Sequence, residues 1–290
     1  MKNASKNSTG HFTAAWHFLT SLNKRLMGSY LIILFILLWQ FAPSFGWTNP
    51  HYVPPFTTVL GDGAYIGISK ILIHISISLK RVLVGFAVAM TAGLPLGFIL
   101  GGGVPKVAET LRPLIAFLQQ IPPYILYPVF MLIIGPGENG IHLVIFWSVF
   151  WPVLNTTIQG VGAMDAKLIR CARTMNAGVV TVFFKVVLPA VFPNLMRGVR
   201  SGLTMGFLML IGAESMGADS GVGWMINNAQ RMAWVPRVYL GALIVCSVGF
   251  LLNWWLGVIE RTFVDWKPVA EEAVTLENKA VTREIGRGEK

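Results

Sequence analysis

Apolar runs, each near the length of about 20 residues that crosses a hydrocarbon core, alternate with polar or basic segments along this 290-residue chain. They lie at 26–42, 82–100, 113–134, 141–158, 199–217 and 238–259. The pattern predicts an all-α integral membrane protein with about six transmembrane helices. The first run is of minimal length. A charged-then-apolar start also fits a cleaved signal peptide, but no small-x-small cleavage site follows, which favours an uncleaved first helix. Segment 43–55, rich in proline, aromatics and asparagine, reads as an external loop. Segment 56–80 reads as an interfacial helix leading into the second span, because Asp62, Lys70, His74 and several serines interrupt its apolar residues. His74 has no partner at metal-ligand spacing and reads as an interfacial histidine. Segments 135–140, with Glu138 and Asn139, and 217–237 read as external turns.

The longest polar interruption, 164–200, has its own periodicity. Leu168, Ala172, Met175 and Val179 recur at steps of four, three and four, while Lys167, Arg170, Arg173 and Thr174 fall on the other side. This predicts a short amphipathic helix. Asp165 is placed to cap its N-terminus, and Gly178 to end it. A second short helix is expected over 179–187, after which Leu188-Pro189 and Pro193 are expected to break the chain before the next span. On periodicity alone the segment is a cytoplasmic loop held by basic residues.

Composition agrees with a membrane chain. Hydrophobic residues make up 54% and charged residues 12%, against about 25% charged in soluble domains, and the mean hydropathy is +0.62. The net charge of +10 does not point to nucleic acid, because the basic residues cluster beside the apolar runs, as orientation in a bilayer requires. Lys and Arg concentrate in 1–25, 101–112, 164–200 and beyond 260, whereas the opposite side holds only Lys70, Lys80, Arg81, Arg231 and Arg237. Both termini are therefore expected inside, as a cytoplasmic N-terminal tail (1–25), a transmembrane region (26–260) and a cytoplasmic C-terminal tail (261–290). Cys171 and Cys246 have no disulfide or metal-ligand spacing and read as packing residues.

Three features inside the spans bear on function. Gln119-Gln120-Ile121-Pro122-Pro123 places two adjacent prolines in an apolar run, so several carbonyls lose their partners, which lipid tolerates only where the freed groups face protein or a water-filled cavity. A simple kink satisfies this, and so does a broken helix lining a solute path with the Gln119 and Gln120 amides as contacts. Glu214, about 1.5 Å per residue from Val199, lies roughly 22 Å along a core of about 30 Å. A carboxylate there needs a polar cavity or a partner, which fits either a path residue or a structural hydrogen bond. Gly198, Gly202 and Gly206, four apart, form one face for close helix packing, against this chain or another copy.

Ala172-Arg173-Thr174, Asn176-Ala177, Val186, Leu188 and Pro189 at this spacing resemble the EAA loop of bacterial ABC-importer permeases. Arg170 stands where Glu is usual, Asn176 where Gly is usual, and Cys171 replaces the first Ala. Ser78-Leu79-x-Arg81, Gly85-Phe86 and Gly93-x-Pro95-Leu96-Gly97 resemble the nitrate, sulfonate, taurine and bicarbonate branch, whose Pro-Pro segment and Glu before a small-residue turn also find counterparts. The resemblance implies the type I importer permease fold, with 165–177 and Leu188-Pro189 docking as a coupling helix in the groove of a cytoplasmic ATPase. It further implies a homodimer with two ATPase subunits and an extracytoplasmic binding protein in the bacterial inner membrane. The solute is expected to be a small anion, although some relatives carry aromatic acids or vitamin precursors. The sequence has no phosphate-binding Gly-x-x-x-x-Gly-Lys loop, zinc spacing or dinucleotide fingerprint, so catalysis by this chain is not expected, and ATP and Mg belong to the partner ATPase. An ion-coupled secondary transporter is the rival class, but it calls for several intramembrane ionisable groups, and Glu214 is the one strong candidate.

Overall fold

The computed structural model describes residues 30–135 and 137–263, and every regular element among them is helical. The chain runs through α1 (Tyr30–Phe41), α2 (Phe56–Ile66), α3 (Ile68–Phe98), α4 (Pro105–Gln119), α5 (Pro123–Ile134), α6 (Glu138–Gly162), α7 (Ala166–Thr174), α8 (Val179–Val182), α9 (Leu188–Gly217), α10 (Val222–Arg231) and α11 (Val235–Phe263). Ile99–Gly103 and Phe183–Val187 are π-helical turns. Among the described residues, four stretches are long and apolar enough to cross a membrane, namely Ile68–Gly103, Glu138–Gly162, Val179–Gly217 and Val235–Glu260. α4 and α5 are an apolar pair bent by 87° at their junction, the form of a broken span or a re-entrant loop, and α1 is a shorter apolar helix. The expected tail 1–25 and most of 261–290 lie outside the described residues.

The spans start earlier than the hydropathy pattern predicts. α3 begins at Ile68 and carries Lys80 and Arg81 inside a continuous helix, α4 begins at Pro105 with Pro113 inside it, and α6 begins at Glu138. Arg81 finds carboxylate partners in Glu138 and Glu214, and Pro105 and Glu138 sit in the first turns of their helices. The expected break at Leu188-Pro189 and Pro193 does not occur. Pro189 sits in the first turn of α9, where a backbone N–H has no intrahelical partner to lose. The preceding π-helical turn closes with the Leu188 N–H on the Phe183 carbonyl, and the single carbonyl freed by Pro193 leaves α9 intact.

The chain divides into two compact units, one comprising the residues up to Leu72 with Ile226–Leu243, the other Ile73–Met225 with the chain from Ile244. In the first, the Trp39 indole donates to the Pro54 carbonyl at 3.1 Å, and Gln40 accepts from the Thr57 N–H at 3.0 Å. Asp62 pairs with Arg237 at 3.2 Å, and the Arg237 guanidinium stacks 4.4 Å from the Trp234 ring. These contacts tie α1 and α2 to the start of α11.

The second unit is built around α6. Val144, Ile145, Val149 and Val153 of this helix are almost fully buried. α3 meets it through Gly85 and Gly93, and α9 through Gly198, Gly202 and Gly206. A Cβ at Gly85 would lie 2.7 Å from Ile145, and one at Gly206 2.7 Å from Val149. Gly202 faces Val149 and Gly198 faces Thr156, so the neighbour of the glycine face on α9 is α6 of the same chain. Lipid tails are as apolar as these side chains, so association rests on close van der Waals contact that larger residues would prevent. Accordingly, Gly85→Val is expected to lower stability by about 1–3 kcal/mol, while Gly103→Ala, with nothing within 4 Å of its Cβ, leaves it unchanged. Thermal unfolding of the two variants in nanodiscs measures the difference.

Candidate functional site

Three places in the second unit bear on function. The first is α7. Asp165 adopts an extended conformation and its carboxylate accepts from the Lys167 N–H at 2.9 Å, capping the helix. At the other end the Ala177 N–H reaches the Ala172 carbonyl at 3.2 Å and the Asn176 N–H the Arg173 carbonyl at 3.0 Å. Asn176 itself has φ +57°. This is a Schellman closure with Asn in the left-handed position, a place where glycine or asparagine is tolerated, and it supplies a physical reason for the exchange of Gly for Asn at this residue. Asn176 thus ends the helix, and Gly178, expected to do so, instead precedes α8 with φ −65°. The expected second helix over 179–187 is one α-helical turn followed by a π-helical turn.

α7 is exposed along most of its surface. Lys167, Arg170, Cys171 and Arg173 are exposed, Ala172 and Ala177 are half-buried, and Leu188 and Pro189 continue into α9. Its apolar side is not turned into the fold either: Leu168 is 47% and Met175 82% exposed. Cys171 and Cys246 are both exposed, which corrects their reading as packing residues.

The second place is the break between α4 and α5. α4 ends at Gln119, Gln120 caps it, and Pro122 and Pro123 start α5. Gln119 accepts a hydrogen bond from the Asn155 amide of α6 and donates to the Ile115 carbonyl at 3.2 Å. Gln119 and Pro123 line a cavity of about 180 Å³ with Trp147, Ser148, Trp151 and Met205.

The third is the end of α9. Glu214 does not reach that cavity, and its carboxylate is buried in an ion-pair cluster. It accepts from Ser78 Oγ at 2.7 Å, from Arg81 Nη1 at 2.8 Å and from the Gly223 N–H at 2.9 Å. Arg81 also donates to the Ser220 carbonyl at 2.6 Å, and its Nε and Nη2 grip Glu138, the Nε contact at 2.7 Å. Ser78 Oγ in turn accepts from the Val222 N–H at 2.9 Å, and His74 Nδ1 accepts from the Gly221 N–H at 3.1 Å. The backbone here is glycine for two reasons. Gly221 has φ +111°, and a Cβ there would collide with the Glu214 carboxylate. Of the two readings of Glu214, the geometry shows the hydrogen-bonded one: its partners come from α3 and the 220–223 turn, and it does not line the cavity that holds Gln119 and Pro123.

Sequence reasoning placed Arg81 and Glu138 outside the membrane and so missed them as partners of Glu214. The available signal was the pairing rule for buried charge applied to 78–81, where a Ser and an Arg three residues apart share one face of a helix. Removing one member of a buried pair leaves an uncompensated charge, a loss of about 3–5 kcal/mol, whereas replacing both with apolar residues of similar volume is often near neutral. Arg81→Gln is thus expected to destabilise the protein strongly, Arg81→Met with Glu214→Met far less, and Glu138→Gln less than Arg81→Gln because its side chain is 57% exposed. Thermal unfolding of the set in nanodiscs gives the order.

Residues 93–264 match the family model described as the binding-protein-dependent transport system inner membrane component. A Bacillus subtilis protein named as an aliphatic sulfonates transport permease is 32% identical over 83% of this chain and 88% of its own length. The taurine transport system permease of Escherichia coli is 27% identical over 87% of this chain and 93% of its own. Among solved structures, the MetNI methionine ABC transporter in an inward-facing conformation superposes with a TM-score of 0.59 at 18% identity, covering 68% of this chain and 97% of that one, which shows a shared fold. With its helical, membrane-length architecture and a model match over more than half its length, the chain belongs to the family of binding-protein-dependent transport system inner membrane components, the permeases of ABC importers.

Proposed function

We propose that this chain is the translocating subunit of an ATP-driven importer for a small organic or inorganic anion, of the sulfonate, taurine and nitrate kind. Its relatives include permeases named for sulfonates and taurine. It works as a homodimer with two ATPase subunits and an extracytoplasmic binding protein in a bacterial inner membrane. The termini and 164–200 face the cytoplasm, and 43–55 and 217–236 face outward.

The observation that carries the reading is α7. Nine residues capped at both ends present Lys167, Arg170 and Arg173 beside exposed Leu168 and Met175. A rigid helix whose apolar residues find no cover in its own chain suits a groove on another subunit. Closure of the ATPases on ATP draws the two copies of α7 together. The movement enters α9 through the π-helical turn at Phe183–Val187, an irregular turn of the kind often found where helices serve function. Gln119, Gln120, Pro122 and Pro123 then line the solute path, and Glu214 serves it indirectly, by fixing the far end of α9 to α3 and α6.

Arg170 sets the polarity of the docking face. An acidic residue near a helix N-terminus gains about 0.3–1 kcal/mol at an exposed site, and Asp165 already supplies that charge as the cap. The position of Arg170 is therefore free to carry partner choice, since complementary charge admits the cognate groove and like charge rejects others. Arg170→Glu is expected to abolish most ATP-driven transport without loss of the membrane-embedded fold, and a reciprocal acid-to-base change in the ATPase groove to restore part of it. Full activity of the single variant would leave docking to Leu168, Ala172 and Met175. A maleimide-linked photocrosslinker on exposed Cys171 captures the ATPase, and labelling of Cys171 from the outer face of sealed cells would contradict the orientation.

A further inference from the structure

Ile99–Gly103 and Phe183–Val187, the two π-helical turns among the described residues, close in the same way. The Val104 N–H reaches the Ile99 carbonyl at 3.0 Å and the Leu188 N–H reaches the Phe183 carbonyl, each across five residues instead of four. Such turns are rare and occur disproportionately where helices serve function. These two meet. The ring of Phe98, the residue before the first turn, lies edge-on to the ring of Phe183, the opening residue of the second, with centroids 5.0 Å apart and planes at 72°. Phe98 also packs with Val187 and Leu188 into a small core around Val161, Val191 and Leu195.

The contact has α7 on one side and α4 on the other. α7 packs on the Phe183–Val187 turn, so a displacement of α7 reaches Phe183 directly. The Ile99–Gly103 turn leads into α4 and has a fixed part and a yielding part. A Cβ at Gly101 would lie 2.9 Å from Val161 of α6, whereas nothing lies within 4 Å of one at Gly103. Val104 then leaves the helical region, at φ −138° and ψ 66°, so α4 starts from a swivel next to three glycines and does not continue α3. α9 is held more closely than α4. A Cβ at Gly160 of α6 would lie 2.7 Å from Val191, and Gly198, Gly202 and Gly206 seat α9 on α6 along its length. α4 stands off α6 across an open cavity of about 320 Å³, with Ile115 and Ala116 on one side and Ile158 and Gln159 on the other. At the far end of α4, Gln119 accepts from the Asn155 amide of α6. A helix joined at one end by a glycine turn and at the other by an amide pair, with space between, is free to move when its near end is pushed.

Resting on the reading of this chain as an ATP-driven permease, we propose that Phe98 and Phe183 are positioning residues that pass the movement of α7 to α4, and so to Gln119. Displacement of α7 shifts Phe183, the ring contact carries Phe98 with it, and the Ile99–Gly103 turn yields, turning α4 about Val104 relative to α6. One residue of helix corresponds to about 100° of rotation and about 1.5 Å of rise, so a change of one residue in that turn is enough to part Gln119 from Asn155. This branch is additional to the one that enters α9.

The test uses the assembled transporter in lipid nanodiscs, with Cys171→Ser and Cys246→Ser to remove the native thiols and bimane on one of two introduced cysteines. Val180→Cys, on exposed α8, reports the α7 side of the contact, and Thr110→Cys, at an exposed position of α4, reports the other side. ATP with vanadate is expected to change both signals. Phe98→Ala and Phe183→Ala are each expected to leave the α8 signal as it was and to return the α4 equilibrium toward its nucleotide-free position about three- to tenfold, the range that loss of one aromatic pair allows. The double variant is expected to shift it no further, because both changes remove one interaction. An α4 signal that ATP does not change, or that Phe98→Ala leaves unchanged, overturns the proposal. So do additive losses in the double variant, and so does loss of both signals together, which would make the contact a support for docking. Phe98→Leu, which keeps apolar volume against Val187 and Leu188 and removes the ring edge, replaces Phe98→Ala if that variant does not assemble. Binding-protein-dependent, ATP-driven uptake by the complex with both phenylalanines is measured separately, so a failure of the permease reading is distinguished from a failure of this relay.

Discussion

The second unit depends on how closely two helices approach α6. Within a bilayer there is no hydrophobic gain in bringing one apolar helix against another, so contact must come from fit. Gly85 and Gly93 on α3, and Gly198, Gly202 and Gly206 on α9, provide it by letting the backbone of each helix ride against Val, Ile and Thr side chains of α6. Once α3 and α9 lie on α6, Arg81, Glu138 and Glu214 are brought to the same end, and a buried carboxylate meets the guanidinium and amide donors that its burial requires. A larger residue at any of these glycines would separate the partners of the ion pair as well as the helices.

The two ends of this assembly differ in physical character. At the end holding Glu214, a glycine-rich turn, a serine and two ion pairs surround a carboxylate that is 1% exposed, a dense arrangement with little freedom. At the other end, α7 is exposed along most of its surface, and π-helical turns precede α4 and α9. Under the proposed function Glu214 is a positioning residue, and the groups proposed to meet solute are those of the break between α4 and α5.

Much of this was legible in the chain. The amphipathic spacing of Leu168, Ala172 and Met175, the cap at Asp165, the proline break after Gln119 and the glycine face of α9 are local patterns, and local backbone physics decides them. The sequence reading erred where tertiary partners override local preference. Lys80 and Arg81 looked like the polar edge of a span, yet α3 continues through them, and Arg81 meets two carboxylates distant in sequence. Pro189 and Pro193 looked like breakers, but a first-turn position and a preceding π-helical turn absorb them. Gly178 looked like the end of α7, although Asn176 takes the left-handed conformation two residues earlier.

The central claim is that this chain moves an anion at the expense of ATP hydrolysed by a partner. Vesicles containing the permease, its ATPase and its binding protein, with taurine or an alkyl sulfonate supplied outside, measure this directly. Uptake that requires ATP on the inner side and persists when an uncoupler collapses the proton gradient is the predicted result. Uptake that proceeds without ATP and stops with the uncoupler would contradict it and place the chain among ion-coupled carriers.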